Sequence, residues 1–264
     1  MKQKKPMGID ILGNIAILKF PEKISLAEKK TIAKKVLKQN SSIKTALEKI
    51  GKFKGRLRKQ ETKYVFGEKT KEALYRENGC VFRFNVDLTY FSPRLSNERK
   101  EIAKKIKKGE EVLLMFAGVN PYGIVIAKNS KAKKVYSIEV NREANRYSNL
   151  NAKLNKIEDK IQIIQGSVKS VGGKLKNIPK KFDVIVMPRP KLTESFLSQA
   201  FRVSKKATRI FYYDFCKADE INSVKEKVLQ EAKKARKKVK ILNIKTAGEI
   251  APYKLRVRVD IKVI

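Results

Sequence analysis

Short apolar runs alternate with stretches of helical periodicity from about residue 100 onward. The runs are VLLMFAG (112–118), VYSIEV (135–140), KIQIIQG (160–166), FDVIVM (182–187) and TRIFYYDF (208–215). The segments 141–154 and 192–203 between them carry apolar residues at the spacing of one helix face. This alternation predicts a mostly parallel, doubly wound α/β sheet with crossover helices.

Two further apolar runs, VKILNIKTAG and YKLRVRVDIKVI, predict additional strands beyond the fifth one. The stretch LRVRVDIKV alternates strictly, which is typical of an antiparallel final strand with one face exposed. Residues 219–238, which precede these strands, predict a very basic helix. Its lysines either face solvent or contact nucleic acid, and the charge pattern fits both alternatives equally well.

Residues 1–95 differ in texture from the remainder, 96–264. They predict a small α+β domain with an early strand, one helix and glycine-punctuated strands; these elements fall at 14–20, 26–38, 51–58 and 81–88. The segment KGRLRKQETK within this domain is dense in positive charge. It is either a clamp for phosphate groups or an exposed hairpin.

The charge balance is strongly positive, with 63 Lys and Arg against 26 Asp and Glu and a net charge of +37 over 264 residues. Such a charge attracts a polyanion at long range, and a nucleic-acid backbone is the natural partner. A heat-adapted surface would also be rich in Lys, but it would carry Glu in similar numbers. The deficit of acidic residues therefore favours nucleic-acid binding.

Several classes of site are excluded by composition. Histidine is absent, which rules out Ser-His-Asp and Cys-His catalysis and all His-ligated metal sites. Cys80 and Cys216 are predicted to be buried structural thiols, with neither a disulfide framework nor a structural metal. No apolar window is long enough to span a membrane and no signal peptide precedes the first domain, so we expect a cytoplasmic protein without a membrane partner. We also expect the protein to be a monomer.

A turn of small residues, Phe116–Gly123, follows the first strand of the large domain, and Glu139 ends the second strand. Ligands of doubly wound sheets bind at the carboxyl ends of the strands, where an acidic residue accepts hydrogen bonds from ribose hydroxyls. The pair predicts a cofactor that contains a nucleoside. Because the GxGxxG spacing of dinucleotide sites is absent, S-adenosylmethionine fits better than NAD; the alternative is that Glu139 is merely a surface residue.

The fourth strand leads into a second turn at the same edge, Met187-Pro188-Arg189-Pro190. Two prolines make this turn rigid and remove two amide donors. A methyltransferase of this architecture would present a polar group to its target base here. Arg189 is either a ligand for phosphate or base, or a surface residue.

The stretch Tyr90–Arg99, YFSPRLSNER, lies at the junction between the two domains. Ser96 is a favourable N-cap residue, so sequence physics alone predicts a capped helix start at this position.

Taken together, GNIAILKFP, KIGKFKGRLR, ENGCVFRFNVDLTYFSPRLSNER, VLLMFAGV, VYSIEVNREA and FYYDF resemble the archaeal and eukaryotic tRNA (guanine-N1)-methyltransferases that modify position 37. The resemblance covers nearly the whole chain, and PRLxxER combined with FAGV is its most specific part. It implies a Rossmann-like class I methyltransferase domain, S-adenosylmethionine as cofactor, tRNA as partner, and methylation of guanosine N1 beside the anticodon.

The same resemblance implies roles for individual residues. Glu98 would be the general base that removes the guanine N1 proton, and Arg94, Arg99 and Arg58 would offset charge on O6 or position the base. The residues that would bind the cofactor are Phe116, Ala117, Gly118, Val119, Glu139, Ser167, Met187 and Pro188.

The sequence departs from the family pattern at Leu114, Asn120 and Ser167, and at the turn 188–190, which replaces Asn-Leu-Pro. Two alternatives therefore stay open beside methylation. One is the aminocarboxypropyl transfer of wyosine-type tRNA modification, which uses the same cofactor. The other is a noncatalytic RNA-binding protein that has lost cofactor affinity.

Overall fold

The computed structural model describes residues 6–51, 55, 60–173, 175 and 177–264. They form two compact units, Met1–Pro93 and Arg94–Ile264. The division lies two residues before the boundary expected from sequence texture. Within the described residues, no helix is both long enough and apolar enough to cross a membrane.

The first unit contains a four-stranded sheet, one helix and a separate hairpin. Its elements are β1 (Gly8–Leu12), β2 (Ile15–Lys19), α1 (Leu26–Gln39), β3 (Thr45–Lys49), β4 (Thr62–Gly67), β5 (Glu72–Glu77) and β6 (Cys80–Asn85). The sheet order is β1-β2-β3-β4, and β5 pairs with β6. Strands β2 and β3 are parallel, so α1 forms the crossover between them.

Local sequence explains these elements. A capping box between Ser25 and Glu28 begins α1, and Ala33 of this helix packs in the core against the sheet. Gly13 has a φ of 61°, and a Cβ at this position would lie 1.9 Å from the carbonyl oxygen of Leu74. Only glycine therefore allows the turn between β1 and β2 to approach β5 this closely.

The second unit contains a seven-stranded sheet flanked by helices. Its elements are α2 (Ser96–Lys105), β7 (Glu111–Met115), α3 (Pro121–Asn129), β8 (Lys134–Glu139), α4 (Arg142–Leu154), β9 (Ile161–Gln165), β10 (Phe182–Met187), α5 (Leu197–Arg202), β11 (Ser204–Lys217), α6 (Ile221–Lys234), β12 (Val239–Ala251) and β13 (Lys254–Val263). The sheet order is β12-β13-β11-β10-β7-β8-β9.

Five neighbouring strands of this sheet, in the order β11-β10-β7-β8-β9, are parallel. Strand β13 is antiparallel to both of its neighbours, β11 and β12. The chain runs from β7 outward to β9 on one side and from β10 to β11 on the other. The strand order thus reverses between β7 and β10, and the crevice at their carboxyl ends is the expected ligand site of such a sheet. This architecture confirms the predicted Rossmann-like class.

Two elements differ from the sequence prediction. Strand β13 is not half-exposed, because Arg258 and Asp260 on its polar face are buried. Helix α5 is shorter than 192–203, because the carbonyl groups of Leu192 and Glu194 accept hydrogen bonds from Arg189 instead of continuing a helical ladder.

Helix α2 starts at the predicted position, but the predicted N-cap at Ser96 is wrong. Helix α2 begins at Ser96, but the N-cap position is Leu95, since the chain enters the helix from a 3-10 turn at Pro93–Leu95. Ser96 is therefore the first helical residue and not the cap. Helix α6 lies within the expected basic segment, and it buries Val224, Val228 and Ala232.

Candidate active site

The turn between β7 and α3 has an unusual backbone. Phe116, Gly118 and Asn120 have φ values of 63°, 59° and 69°, all in the left-handed region. Glycine adopts this region freely, and asparagine is among the few other residues that tolerate it. Asn120 is buried and accepts a hydrogen bond from Ser137. Asparagine at the position of the family's second glycine therefore preserves a left-handed turn.

Glu139 is fixed at the carboxyl end of β8 by backbone amides. Its Oε2 accepts a hydrogen bond from Gly118 at 2.8 Å, and its Oε1 accepts from Val140 and Asn141, each at 2.8 Å. The carboxylate thus joins the ends of two neighbouring parallel strands. A carboxylate has about four lone-pair positions, so a fixed Glu139 retains acceptor capacity for a ligand.

The remaining candidate cofactor residues lie at the same edge of the sheet. Ser167 follows β9 and caps a short 3-10 helix through a hydrogen bond from the amide of Lys169. Met187 is buried at the end of β10, and Pro188 follows it. Because β7 to β10 are parallel, their carboxyl ends bring these residues to the edge that contains Phe116–Val119.

Arg189 faces the protein interior, contrary to both roles considered from sequence. Its guanidinium group donates to Asp214 Oδ1 at 2.5 Å and to the carbonyl groups of Leu192 and Glu194. Only 2% of the residue is exposed. Arg189 therefore binds its own loop to β11 and is not a surface ligand for phosphate.

Asp214 is the anionic partner of this loop clamp. Lys227 Nζ and the hydroxyl of Tyr212 donate to its Oδ2, both at 2.8 Å. Burial acts to raise the pKa of Asp214, but the charge of Arg189 and the hydrogen bonds outweigh burial and lower it. The aspartate is therefore ionised at neutral pH.

Glu98 lies in a buried ion-pair network. Its Oε2 accepts from the hydroxyl of Tyr213 at 2.9 Å and from Arg258 at 2.7 Å. Lys245 Nζ lies 2.9 Å from its Oε1. These donors come from β11, β13 and β12, so the three strands at one end of the sheet fix the carboxylate.

Arg258 is the centre of the network and is completely buried. Besides Glu98 it binds Asp260 and Glu101, each at 2.6 Å. Burial acts to lower the pKa of Arg258, but its hydrogen bonds to Glu101 and Asp260 outweigh burial and hold the pKa above its ordinary value. The bond from Arg258 lowers the pKa of Glu101 to about 2, despite partial burial and with help from Lys245.

Two tyrosines connect Glu98 with the first turn of α3. The rings of Tyr213 and Tyr122 lie 5.9 Å apart in an edge-on arrangement. Burial raises the pKa of Tyr122 to about 12. The guanidinium of Arg99 lies 5.8 Å from the Tyr122 ring. Tyr122 follows Asn120, the last residue of the turn between β7 and α3, by two residues. Through the two tyrosines, Glu98 and Arg99 are therefore connected with the turn whose Gly118 amide donates to Glu139.

The other two arginines predicted from the sequence are Arg94 and Arg58. Arg94 is exposed in the 3-10 turn before α2. Arg58 and most of the KGRLR segment lie outside the described residues.

The residues at the cofactor edge fit a nucleoside-containing ligand. Glu139 presents a fixed carboxylate, and the turn beside it has a left-handed backbone with a glycine amide at its centre. Comparison with known protein families also indicates a methyltransferase domain. The TRM5/TYW2 methyltransferase domain matches residues 73–242, and the TYW2 N-terminal domain matches residues 1–70.

The chain belongs to the TRM5/TYW2 methyltransferase family.

Similar proteins extend the match over nearly the whole chain. The tRNA (guanine(37)-N(1))-methyltransferase Trm5b of Pyrococcus abyssi is 33% identical, covering 98% of this chain and 75% of the relative. Its crystal structure superposes with a TM-score of 0.85, at 32% identity and the same coverage of both chains. The tRNA (guanine(37)-N(1))/4-demethylwyosine(37)-methyltransferase Taw22 of Nanoarchaeum equitans is 34% identical, covering 98% of this chain and all of the relative.

A solved complex of aTrm5 with tRNALeu superposes with a TM-score of 0.83 at 27% identity. It covers 98% of this chain and 72% of that one.

Sequence reasoning missed the partners of Glu98 in this TRM5/TYW2 family member. Tyr213 lies in the FYYDF run and Arg258 in the alternating LRVRVDIKV run. A signal was present, since charged residues alternate with valines within a strand that ends a sheet. It became informative only with the fold, which places α2 and its carboxylates over those charges.

The described part of the chain contains no group of three or more His, Cys, Asp or Glu side chains that could hold a metal ion. Cys80 is buried as predicted, whereas Cys216 is only partly buried, and the two cysteines are not joined by a disulfide. Burial raises the pKa of Cys216, so it is a poor nucleophile.

Proposed function

We propose that this enzyme transfers a methyl group from S-adenosylmethionine to N1 of guanosine at position 37 of tRNA. The observation that carries the proposal is the juxtaposition of Glu98 with the first turn of α3, next to the turn fixed by Glu139. Family membership, the names of the relatives and the net charge of +37 support the substrate class.

The cofactor would be held at the carboxyl ends of β7 to β10. Glu139 would accept a hydrogen bond from a ribose hydroxyl at its remaining lone-pair position, and the backbone of Phe116–Val119 would approach the ligand closely. Ser167, Met187 and Pro188 would line the same edge. When bound, S-adenosylmethionine supplies the activated methyl group, and the protein's own residues provide binding, orientation and proton transfer.

Glu98 would accept the proton from guanine N1 and so make that nitrogen nucleophilic. Arg258 and Lys245 hold its carboxylate in place, and the hydroxyl of Tyr213 donates a hydrogen bond to the same group. Arg99 and Arg94 would offset the negative charge that develops on guanine O6. The role of Arg58 stays a prediction from the resemblance. Because histidine is absent, this carboxylate is the candidate base that the geometry supports best.

Replacing Glu139 with Gln should weaken S-adenosylmethionine binding by about 10- to 100-fold, since a neutral amide presents one acceptor oxygen where the carboxylate presents two. Titration calorimetry measures the change directly. The matched control is Glu143→Gln, which changes a partly exposed residue of the first turn of α4 that pairs with Arg146. Equal affinity in the Glu139 and Glu143 variants would contradict the assignment.

The decisive experiment measures transfer of labelled methyl groups from S-adenosylmethionine to two tRNA transcripts, with G or A at position 37. Nucleoside analysis should detect 1-methylguanosine only in the G37 transcript. Label at another nucleoside would contradict the site, and the absence of both methyl transfer and cofactor binding would favour the noncatalytic alternative.

A second activity is supported by the name of the Nanoarchaeum relative, which couples guanosine methylation with methylation of 4-demethylwyosine at the same position. The match of residues 1–70 to the TYW2 N-terminal domain also favours a wyosine-related substrate. The test is the same assay on tRNA that carries 4-demethylwyosine. The mass added to the base distinguishes a methyl group from an aminocarboxypropyl group.

We further propose that the enzyme acts as a cytoplasmic monomer. Its high positive charge opposes association of two copies. Light scattering coupled to size-exclusion chromatography should give the mass of one chain, 30.2 kDa, and a fluorescent fusion should locate it in cells.

A further inference from the structure

Three strands extend well beyond the edge that contains the candidate cofactor residues. Strand β10 ends at Met187, which pairs with Tyr212 of β11, whereas β11 continues five residues further to Lys217. At about 3.3 Å per residue, the extension is roughly 17 Å long. Strands β13 and β12 accompany it, with Lys217 opposite Lys254 and Ala251 also opposite Lys254.

We call the outer part of this extension the wing; it comprises Phe215–Lys217 and Ile250–Arg256. Because β11 is parallel to β10 and β7, the wing projects from the carboxyl ends of the parallel strands. It therefore stands on the same side of the sheet as the turn of Glu139 and the first turn of α3. A polymer substrate bound at that edge would extend past the wing.

The tip of the wing displays an exposed aromatic ring. Tyr253 is 80% exposed, the highest value for any large hydrophobic residue among those that the structure describes. Its φ is 59°, which is costly for a bulky side chain and free for glycine. The backbone at this position is anchored by a hydrogen bond from the amide of Ala218 to the carbonyl of Tyr253 at 3.0 Å.

Neither burial of the side chain nor the preference of the backbone accounts for a tyrosine at this position. Burial does not, because the ring is exposed, and backbone preference does not, because it favours glycine. An anchored backbone with a displayed ring is instead the arrangement of a recognition element. The ring of an exposed tyrosine offers a flat face on which an unpaired nucleobase stacks.

Cationic side chains surround the tip. Lys254 is exposed, and Arg256 is partly exposed with its guanidinium 5.1 Å from the ring centre of Phe215. Lys217 pairs with Glu220 at 3.0 Å. Glu249 and Asp219 are also exposed nearby, so the tip does not offer a uniformly positive surface. It offers a ring flanked by Lys254 and Arg256, which suits one base and its adjoining phosphates.

We propose that the wing binds an unpaired nucleotide of the RNA substrate that flanks the target base, with Tyr253 stacked on the base and Lys254 and Arg256 near its phosphates. This proposal rests on the proposed function for the identity of the RNA. It adds a contact surface on the methyltransferase unit itself.

The test compares Tyr253→Gly with Tyr253→Phe. Glycine removes the ring and also relieves the left-handed backbone, so folding is not compromised; phenylalanine keeps the ring. The matched control is Leu242→Ala. Leu242 is also an exposed apolar residue, but it lies in β12, far from the tip of the wing. Affinity for tRNA is measured at one fixed salt concentration, and cofactor affinity is measured in parallel.

Tyr253→Gly should weaken tRNA binding by about 5- to 100-fold, as expected for loss of one base–aromatic stack. Tyr253→Phe and Leu242→Ala should stay within about twofold of wild type, and all three should bind S-adenosylmethionine normally. The fluorescent base 2-aminopurine is placed at one position of the anticodon loop at a time. At one position, its fluorescence should be quenched by stacking when wild-type protein or Tyr253→Phe binds, and not when Tyr253→Gly binds.

Unchanged tRNA affinity in Tyr253→Gly would overturn the proposal, as would an equal loss in the Phe variant, which would assign the effect to the hydroxyl. Binding of tRNA does not require transfer. If wild-type protein binds tRNA but methylates neither transcript, the proposed function fails while the comparison of variants still decides the role of the wing.

Discussion

Replacing Arg258 with Met should lower the free energy of unfolding by about 3 to 5 kcal/mol, the cost of removing one partner from a buried ion pair. Arg258 is fully buried and binds Glu98, Glu101 and Asp260. Without it, the carboxylates of Glu98 and Asp260 remain buried with fewer cationic partners. Their desolvation is then no longer offset.

Urea unfolding followed by circular dichroism measures this loss. Lys262→Met is the matched control, because Lys262 lies on the same strand and on the same face but is exposed. Its effect should stay within about 0.5 kcal/mol. Similar unfolding midpoints for the Arg258 and Lys262 variants would show that the network contributes little to stability.

The pH dependence of stability provides an independent readout of the same network. The pKa of Glu101 lies at about 2 in the folded protein, below its ordinary value of 4.5. As pH falls, the unfolded chain therefore binds this proton first, and the stabilisation that is complete above pH 4.5 is lost toward pH 2. Partial exposure of Glu101 moderates the size of the effect. In Arg258→Met the slope over this range should flatten.

Glu98→Gln should reduce kcat for methyl transfer by about 100- to 10,000-fold, the usual contribution of general-base catalysis. Glutamine keeps the shape of the side chain but accepts no proton from guanine N1. Affinity for S-adenosylmethionine should be unchanged, because Glu139 and the turn 116–119 belong to other elements. Single-turnover assays with saturating tRNA measure the step.

The control for this prediction is Glu101→Gln, which perturbs the same ion-pair network through Arg258 and Lys245 without changing Glu98. It should retain kcat within about tenfold, since its effect is only indirect. Wild-type turnover by Glu98→Gln would remove this residue as the base.

Much of the fold follows from local patterns. Parallel strands buried on both faces form continuous apolar runs, and VLLMFAG and FDVIVM correspond to β7 and β10 at the centre of the sheet. Glu139 was predictable for a related reason, because strand ends in such sheets converge at one edge. Its hydrogen bond with Gly118, 21 residues earlier, is a consequence of that topology.

Other features depend on which distant surface covers a residue. Alternation in LRVRVDIKV distinguishes two faces of a strand but not whether the polar face meets water or carboxylates from α2. Likewise, Arg189 in a proline-rich turn has the composition of an exposed ligand. Its interior position depends on Asp214, an anion 25 residues away that supplies a buried partner. Charge pairs across the sequence therefore escape short-range patterns.

The bond between Glu98 and Arg258 joins positions 160 residues apart. During translation, Glu98 and Glu101 of α2 therefore emerge long before Arg258. Their carboxylates remain hydrated until residue 258 has left the ribosome. Contacts of such separation form late in folding, because closing a long loop costs entropy before any contact is gained. The candidate base thus acquires its full set of partners only near the end of synthesis. A ribosome that stalls within β12 would hold a chain that already contains the candidate cofactor residues and Tyr213, but not Arg258.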